Sequence, residues 1–417
     1  SDEAQYVTTF SSTQRFNEGS WSAYYNPDDC YTSYYNGIYA AHDYLDKSVD
    51  YRYILGMHRD TLTSNGLDSY RRDIVDVQRL RAEAHVLKAY YYFELAKRYG
   101  GVPLIVRVYA DQKEANLPRG TFDEVVGLIL REIEGVRNEL VVDWRAENLE
   151  EKSGRITRGA ALALKSRVLL YAASPQFNPS GEKSKWAAAA AAAFEVINMG
   201  IYSLHPDYGG LFVAETSTTS PETIWAVRIG ATNEFERKNY PIGTQGGGTG
   251  ICPSQNLVEA YESTGEDTDD AYAGLDPRFY ATVLRNGDTW NGRTLEIYAG
   301  GADDPARQNA SPTGYYLRKF LNENLNLTND DKRLRSWIVF RYAEILLNFA
   351  EAMNEAYGPD DAHGYGMSAR DAVDAVRARS GVGMPPVDVD PGDAAAMRTA
   401  IKHERRIELA FEDHRYW

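Results

Sequence analysis

Apolar residues recur at helical spacing over two long parts of the chain and lose that rhythm between them. After Pro27-Asp28-Asp29 the run YTSYYNGIYAAHDYLDKSV reads as a helix whose acidic lead-in can cap its start. A long helical stretch follows from Ser69 to Gly100-Gly101, with Pro103 just beyond. Within it Val86, Leu87, Tyr90, Tyr91, Phe93 and Leu95 form a broad apolar face. Thr121 and Glu124 make a capping box at the head of TFDEVVGLILREIEGVRNEL. Thr157 opens another helix, ended by Ser174-Pro175, and Ser184 opens one that carries seven consecutive alanines and stops at Gly200. Alanine suits close helix–helix approach and has the highest helix propensity. Paired helices of this kind, with Trp, Tyr, Ala and a trailing Pro, suggest tetratricopeptide-type units of about 34 residues.

From about Tyr202 to Ser336 the helical faces fade. Glycines cluster in GTQGGGTG, Pro and Asn appear, and ETIWAVRI (222–229) reads as a short strand. A segment this long is too large for a structureless loop, so it reads as a loop-rich subdomain in which the glycine run is a flexible turn. Helices resume at Trp337, where Tyr342, Ile345, Leu346, Phe349 and Met353 line one face up to Gly358-Pro359. Ser368 and Asp371 begin the next helix, and AAMRTAIKHERRIELAFE forms the last. The pattern predicts a mainly α protein. Tetratricopeptide-type helix pairs over about 28–201 and 337–413 support a loop-rich irregular subdomain over about 202–336, with a few short strands, all in one domain over 1–417.

Composition narrows the function. The 45 Lys and Arg are outnumbered by 60 Asp and Glu, a net charge of −15 without a basic stripe, which argues against nucleic acid and against anionic membrane surfaces. Two cysteines, Cys30 and Cys252, do not make a disulfide scaffold, and no apolar run is long enough to span a bilayer. The 30 tyrosines are unusual. Tyr joins a flat apolar face to a hydroxyl and suits sugar binding, although about two-thirds are expected to fill helix interfaces.

No catalytic or metal motif stands out. His403-Glu404 lacks the second histidine of a zinc-protease helix, and the glycine run lacks the Lys-Ser/Thr of a phosphate loop. The acidic stretch Glu266 to Asp270 lacks the glycine and distal glutamate of a calcium loop. The reading is therefore a non-enzyme with no cofactor and no metal.

Four segments in a fixed order carry a specific resemblance. They are AEAHVLKAYYYF with RYGGVPL (82–93 and 98–104), PTGYYLRKF (312–320), FRYAEILLNFAEA (340–352), and RARSG with IKHERRIELAFE (377–381 and 401–412). Together they resemble the SusD/RagB family across essentially the whole chain. Arg341, Glu344 and Glu351 in these segments read as core pairing groups rather than site residues. The resemblance implies a surface-exposed outer-membrane lipoprotein of Bacteroidetes-type bacteria. Such a protein binds an oligosaccharide and delivers it to a SusC-like TonB-dependent transporter, without catalysis. Its membrane contact would be a lipid anchor missing from this chain, since both termini look trimmed relative to the family, and Cys30 is not that anchor.

By position in the family, the ligand-binding candidates are Trp21, Tyr24 and Asn26 near the start, and Tyr272, Trp290, Arg293 and Tyr298 in the insert. Trp290 is expected to stand exposed on a hairpin tip between Asn286-Gly287 and Asn291-Gly292. Three alternatives stay open: a surface binder of peptides or another nutrient, a helical-repeat scaffold for protein partners, and a glycan-cleaving enzyme.

Overall fold

A computed structural model describes residues 2–22, 24–111, 114, 116–147, 152–213, 216–264 and 270–417. The chain divides into two compact units, Asp29–Gly200 and the combination of Ser1–Asp28 with Ile201–Trp417. The chain opens in the second of these with strand β1 (Ala4–Tyr6) and the short helix α1 (Arg15–Glu18).

The helical unit holds α2 (Tyr31–Lys47), α3 (Tyr51–His58), α4 (Ser64–Tyr99), α5 (Phe122–Val136), α6 (Arg158–Ala173) and α7 (Lys183–Ile197). Successive helices pack as neighbours, α4 lying against α2 and α5, and α6 against α5 and α7. The capping box at Thr121 and Glu124 forms as expected, and Thr157 accepts from the Ala160 N–H to start α6. The long helix α4 begins earlier than Ser69, because the Thr63 hydroxyl caps it by accepting from the Gly66 N–H. Ala189, Ala190, Ala192 and Ala193 of α7 are buried, as are Ala160, Ala161 and Ala163 of α6. Small side chains on both helices allow this close approach. The acids at the edges of the apolar faces find cations: Glu83 pairs with Arg155, Glu94 with Lys97 and Arg98, and Glu132 with Lys88 at 2.9 Å.

The other unit continues with α8 (Thr216–Thr219), β2 (Thr223–Thr232), α9 (Glu234–Asn239), β3 (Ile251–Pro253), α10 (Gln255–Val258) and α11 (Pro277–Thr282). Short strands β4 (Val283–Leu284), β5 (Thr289–Trp290), β6 (Arg293–Thr294) and β7 (Tyr316–Leu317) follow, then β8 (Arg333–Arg341). It closes with α12 (Tyr342–Tyr357), α13 (Ala369–Arg377) and α14 (Ala394–Glu408). The strands form four antiparallel pairs, β1–β3, β2–β8, β4–β7 and β5–β6.

Two local expectations are corrected. Trp337 to Arg341 is strand, with Val227 opposite Trp337, and the helix starts only at Tyr342. Trp-Ile-Val-Phe is an aromatic and β-branched run, which favours a pleated surface over a helix. The glycine run is a packing device and not a loose turn. A Cβ on Gly247 would lie 2.7 Å from the carbonyl oxygens of Tyr240 and Pro241, so the loop presses on the end of α9 in a way only glycine permits.

The centre of this unit is charged. Arg341, fully buried, donates to Glu222 (2.7 Å), Glu408 (2.6 Å) and Glu412 (2.7 Å). Arg379 joins Glu222 and Glu408, and Arg278 joins Asp276, Glu404 and Glu408. Burial alone would raise the Glu408 carboxyl, yet Arg379, Arg341 and Arg278 hold it well below the usual carboxylate range. Lys319 is also fully buried, and burial together with Arg341 brings its ammonium down to about 8 although Glu412 opposes this. Glu351 meets Arg405 at 3.7 Å, so the acids and bases of the family-like helices do pair within the fold.

Arg341→Met would leave three buried carboxylates short of a partner. The expected loss is about 3–5 kcal/mol of stability, read as a lowered urea midpoint; a loss below about 1 kcal/mol would mean that the remaining cations carry the network unaided.

Candidate functional site

Strand β1 lies against β3, with Ala4 opposite Pro253 and Tyr6 opposite Ile251. Asp2 precedes it and bridges Arg415 (2.8 Å) and Arg406 (3.1 Å), so the start of the chain is tied to its last residues. The Arg415 guanidinium holds the Asp2 carboxyl down to about 2, against the effect of burial. The Tyr6 N–H donates to Gln14 Oε1 (3.0 Å), and Asn17 Nδ2 to the Ala4 carbonyl (2.6 Å), which anchors α1 beside the strand.

Past α1, Gly19 takes the left-handed conformation and turns the chain outward. There an aromatic group gathers. Phe16 packs edge-on to Tyr416 at 5.0 Å and tilted to Trp21 at 5.7 Å, and Trp417 stands edge-on to Tyr416 at 5.0 Å. Arg15 lies 4.5 Å over the ring of Tyr25. Trp21 keeps 42% of its surface exposed, Tyr24 is fully exposed, and Tyr25 and Tyr416 are also open to solvent. Asn26 turns its Oδ1 back to accept from the Asp28 N–H (2.9 Å), leaving its amide NH2 outside that turn. Open aromatic faces fringed by an arginine and an amide are the chemistry a sugar ring needs, because its C–H face stacks while its hydroxyls take hydrogen bonds.

The insert candidates fare differently. The Asn291-Gly292 hairpin forms, both residues at positive φ as a type I′ turn requires, but Trp290 is not on its surface. Trp290 is 1% exposed. It packs edge-on to Tyr240 at 5.2 Å amid Leu284, Leu295, Tyr316 and Leu325. The expectation of an exposed tryptophan is thereby corrected. The hairpin tip folds down, with Asn291 donating to Glu323 (3.3 Å) and to the Leu325 carbonyl (3.4 Å), and the indole fills the space beneath.

Arg293 is committed to Asp303 through two bonds of 2.6 and 2.7 Å, and it also reaches Thr244. Tyr272 is half-buried, parallel to Phe279, with its hydroxyl 2.7 Å from that of Tyr315 and Arg285 4.8 Å over its ring. Tyr298 is exposed. Ring contacts tie Trp21 to Phe16 and Tyr416, and Tyr272 to Phe279 and Tyr315; among the described residues none runs between the two groups.

The motif look-alikes have structural uses. Glu404, beside His403, is buried between Arg278 and Arg377. Most of the acidic stretch after Thr264 lies outside the described residues; Asp270 pairs with Arg285 at 2.8 Å. Among the described residues no three His, Cys, Asp or Glu gather as a metal site, and no helix is long and apolar enough to cross a membrane.

Comparison with known proteins settles the lineage. A family model described as "SusD family" matches residues 221–417, and one described as "Starch-binding associating with outer membrane" matches residues 2–170. The chain belongs to the SusD family. It is 27% identical to the SusD-like protein P38 of Formosa agariphila over 368 residues, 82% of this chain and 66% of that protein. The crystal structure of a SusD-like protein from Bacteroides fragilis superposes with a TM-score of 0.79 at 27% identity, covering 100% of this chain and 80% of that one. A SusD-like carbohydrate binding protein from the same species superposes with a TM-score of 0.69 at 26% identity, covering 82% of this chain and 66% of that one. The chain spans about two-thirds of the length of the curated relatives it matches, between 62% and 68%.

The two SusD-family matches take in both the Trp21 segment and the insert. Position in the family pointed to Trp21, Tyr24 and Asn26 but not to Arg15, Phe16, Tyr416 or Trp417. The signal for the last two was the closing HRYW, an aromatic pair beside charge at a chain end. Trp290→Ala is expected to cost about 3–5 kcal/mol of stability, whereas Trp21→Ala should stay within about 0.5–1 kcal/mol of wild type. Thermal melts of both variants check this; equal melting temperatures would contradict the burial difference.

Proposed function

We propose that this SusD-family chain captures an oligosaccharide at the outer surface of the cell and passes it to a SusC-like TonB-dependent transporter. The observation that carries the reading is the set of exposed aromatics in one short segment, Trp21, Tyr24 and Tyr25, with Tyr416 beside Trp21 and Arg15 over the Tyr25 ring. Large exposed aromatics beside hydrogen-bonding side chains mark an interaction surface and suit a ligand with one apolar and one polar face. The SusD-like carbohydrate binding protein of Bacteroides fragilis supports the ligand class, and the outer-membrane description of the matched family supports the location. Surface attachment would be through a lipid anchor, and binding would proceed without turnover.

Titration calorimetry against a panel of plant, algal and host oligosaccharides tests this. Trp21→Ala and Tyr24→Ala should each weaken the bound glycan by about 1–1.5 kcal/mol, roughly tenfold, with the melting temperature unchanged. No new reducing ends should appear over a day with pure protein. Binding of peptides and of no glycan, or glycan binding indifferent to both substitutions, would overturn the reading.

A further inference from the structure

We propose that the buried contact between Glu3 and the turn after α14 is a pH-sensitive clasp that holds the aromatic group together. The proposal deepens the reading above, since it concerns regulation of the same site.

The mechanical case comes first. The aromatic group has two halves from opposite ends of the chain: Phe16 and Trp21 on one side, Tyr416 on the other. The first half rides on α1, which is bonded to β1. The second follows the turn after α14 by a few residues. Glu3 sits where these meet. It is 4% exposed, its carbonyl accepts from the Ser254 N–H (2.8 Å), and its carboxylate accepts from the Phe411 N–H. Phe411 has φ +63°, a conformation that bulky residues rarely adopt. That backbone twist aims the amide at Glu3, and such local strain persists where surrounding structure enforces it.

The electrical case follows. Burial pushes the Glu3 carboxyl up to about 7, with Asp2 adding to the rise and the Phe411 amide, Arg415 and Arg406 opposing it. Tyr261, buried nearby, also faces Glu3. Once released into water the carboxyl returns to its ordinary value of 4.5. The closed clasp therefore holds a proton between about pH 4.5 and 7 that the open form has lost, so closure weakens as pH rises through that window and levels off above it. Asp2, held at about 2, is ionised throughout and adds no slope there.

Hydrogen exchange of the full chain without ligand tests the clasp, read on residues 2–7 and 14–22 after correction for intrinsic rates. Wild-type protection should fall about tenfold or more between pH 5.5 and 8. Glu3→Gln keeps an acceptor for the Phe411 amide and carries no charge. It should show no such fall and at pH 8 should match wild type at pH 5.5. A wild type without the slope, or a Glu3→Gln variant that keeps it, overturns the proposal. Should that variant fail to fold, the carbon chemical shift of the Glu3 carboxyl in wild type decides instead: a midpoint near 7 supports the clasp and one near 4.5 overturns it. Because no ligand is present, a protein that binds no glycan yet shows the slope keeps the clasp and loses only the carbohydrate reading. A glycan binder without the slope does the reverse.

Discussion

The unit that carries the aromatic group depends on a charge balance in its interior. Five cations, Lys319, Arg278, Arg341, Arg377 and Arg379, meet five buried or nearly buried carboxylates, Glu222, Asp276, Glu404, Glu408 and Glu412, and Arg377 also holds the more exposed Glu262. A buried ion left without its partner is very costly, whereas a well-packed apolar replacement for the whole set can be neutral. The network therefore does little for stability by itself. What it imposes is register. Glu222 leads into β2, Arg341 ends β8, Arg377 and Arg379 lie at the end of α13, and Glu404 and Glu408 lie on α14. Shifting any one of these by a residue strands a charge, so the elements have one mutual arrangement.

The helices were legible because their signals are local. A capping box is four residues, an apolar face repeats within a turn, and an alanine run announces close packing. Their boundaries were less so at Thr63 and Trp337. At Thr63 a hydroxyl cap extends α4 before its apolar face begins. At Trp337 the strand partner that overrides helical periodicity lies in β2, more than a hundred positions away. The family segments were readable as motifs, yet their pairings were not. That Arg341 would be held by Glu222 and Glu412 is a fact of three dimensions, since sequence shows only that charges lie beside apolar faces.

The candidate site was legible in part, for a similar reason. Trp21 and Tyr24, nominated by position in the family, are open, Trp21 resting on the rings of Phe16 and Tyr416. Trp290 misled because turn chemistry describes the hairpin and not where the hairpin rests. Asn291-Gly292 predicts a tight tip correctly, but Glu323 and the Leu325 carbonyl then draw that tip inward. The pairing of Arg293 with Asp303 was hidden for the same reason, since no local pattern couples the two. Tyr416 was missed since its ring partners, Phe16 and Trp21, sit at the far end of the chain.

The charged interior and the aromatic surface are linked through one turn. Glu408 and Glu412 are pinned by Arg341, and Lys319 donates to Glu412 and to the Ala410 carbonyl. Holding an acid and its neighbouring carbonyls on both sides leaves the intervening backbone little choice, and Phe411 and Asp413 accordingly sit at positive φ. From that turn Arg415 reaches Asp2, and Tyr416 meets Phe16 and Trp21. The position of an exposed ring is thus inherited from ion pairs that never touch solvent. Under the proposed function this has a consequence. Aromatic side chains held in place before the ligand arrives lose little freedom on binding, so more of the stacking energy remains as affinity. The strained turn, unfavourable by itself, supplies that rigidity.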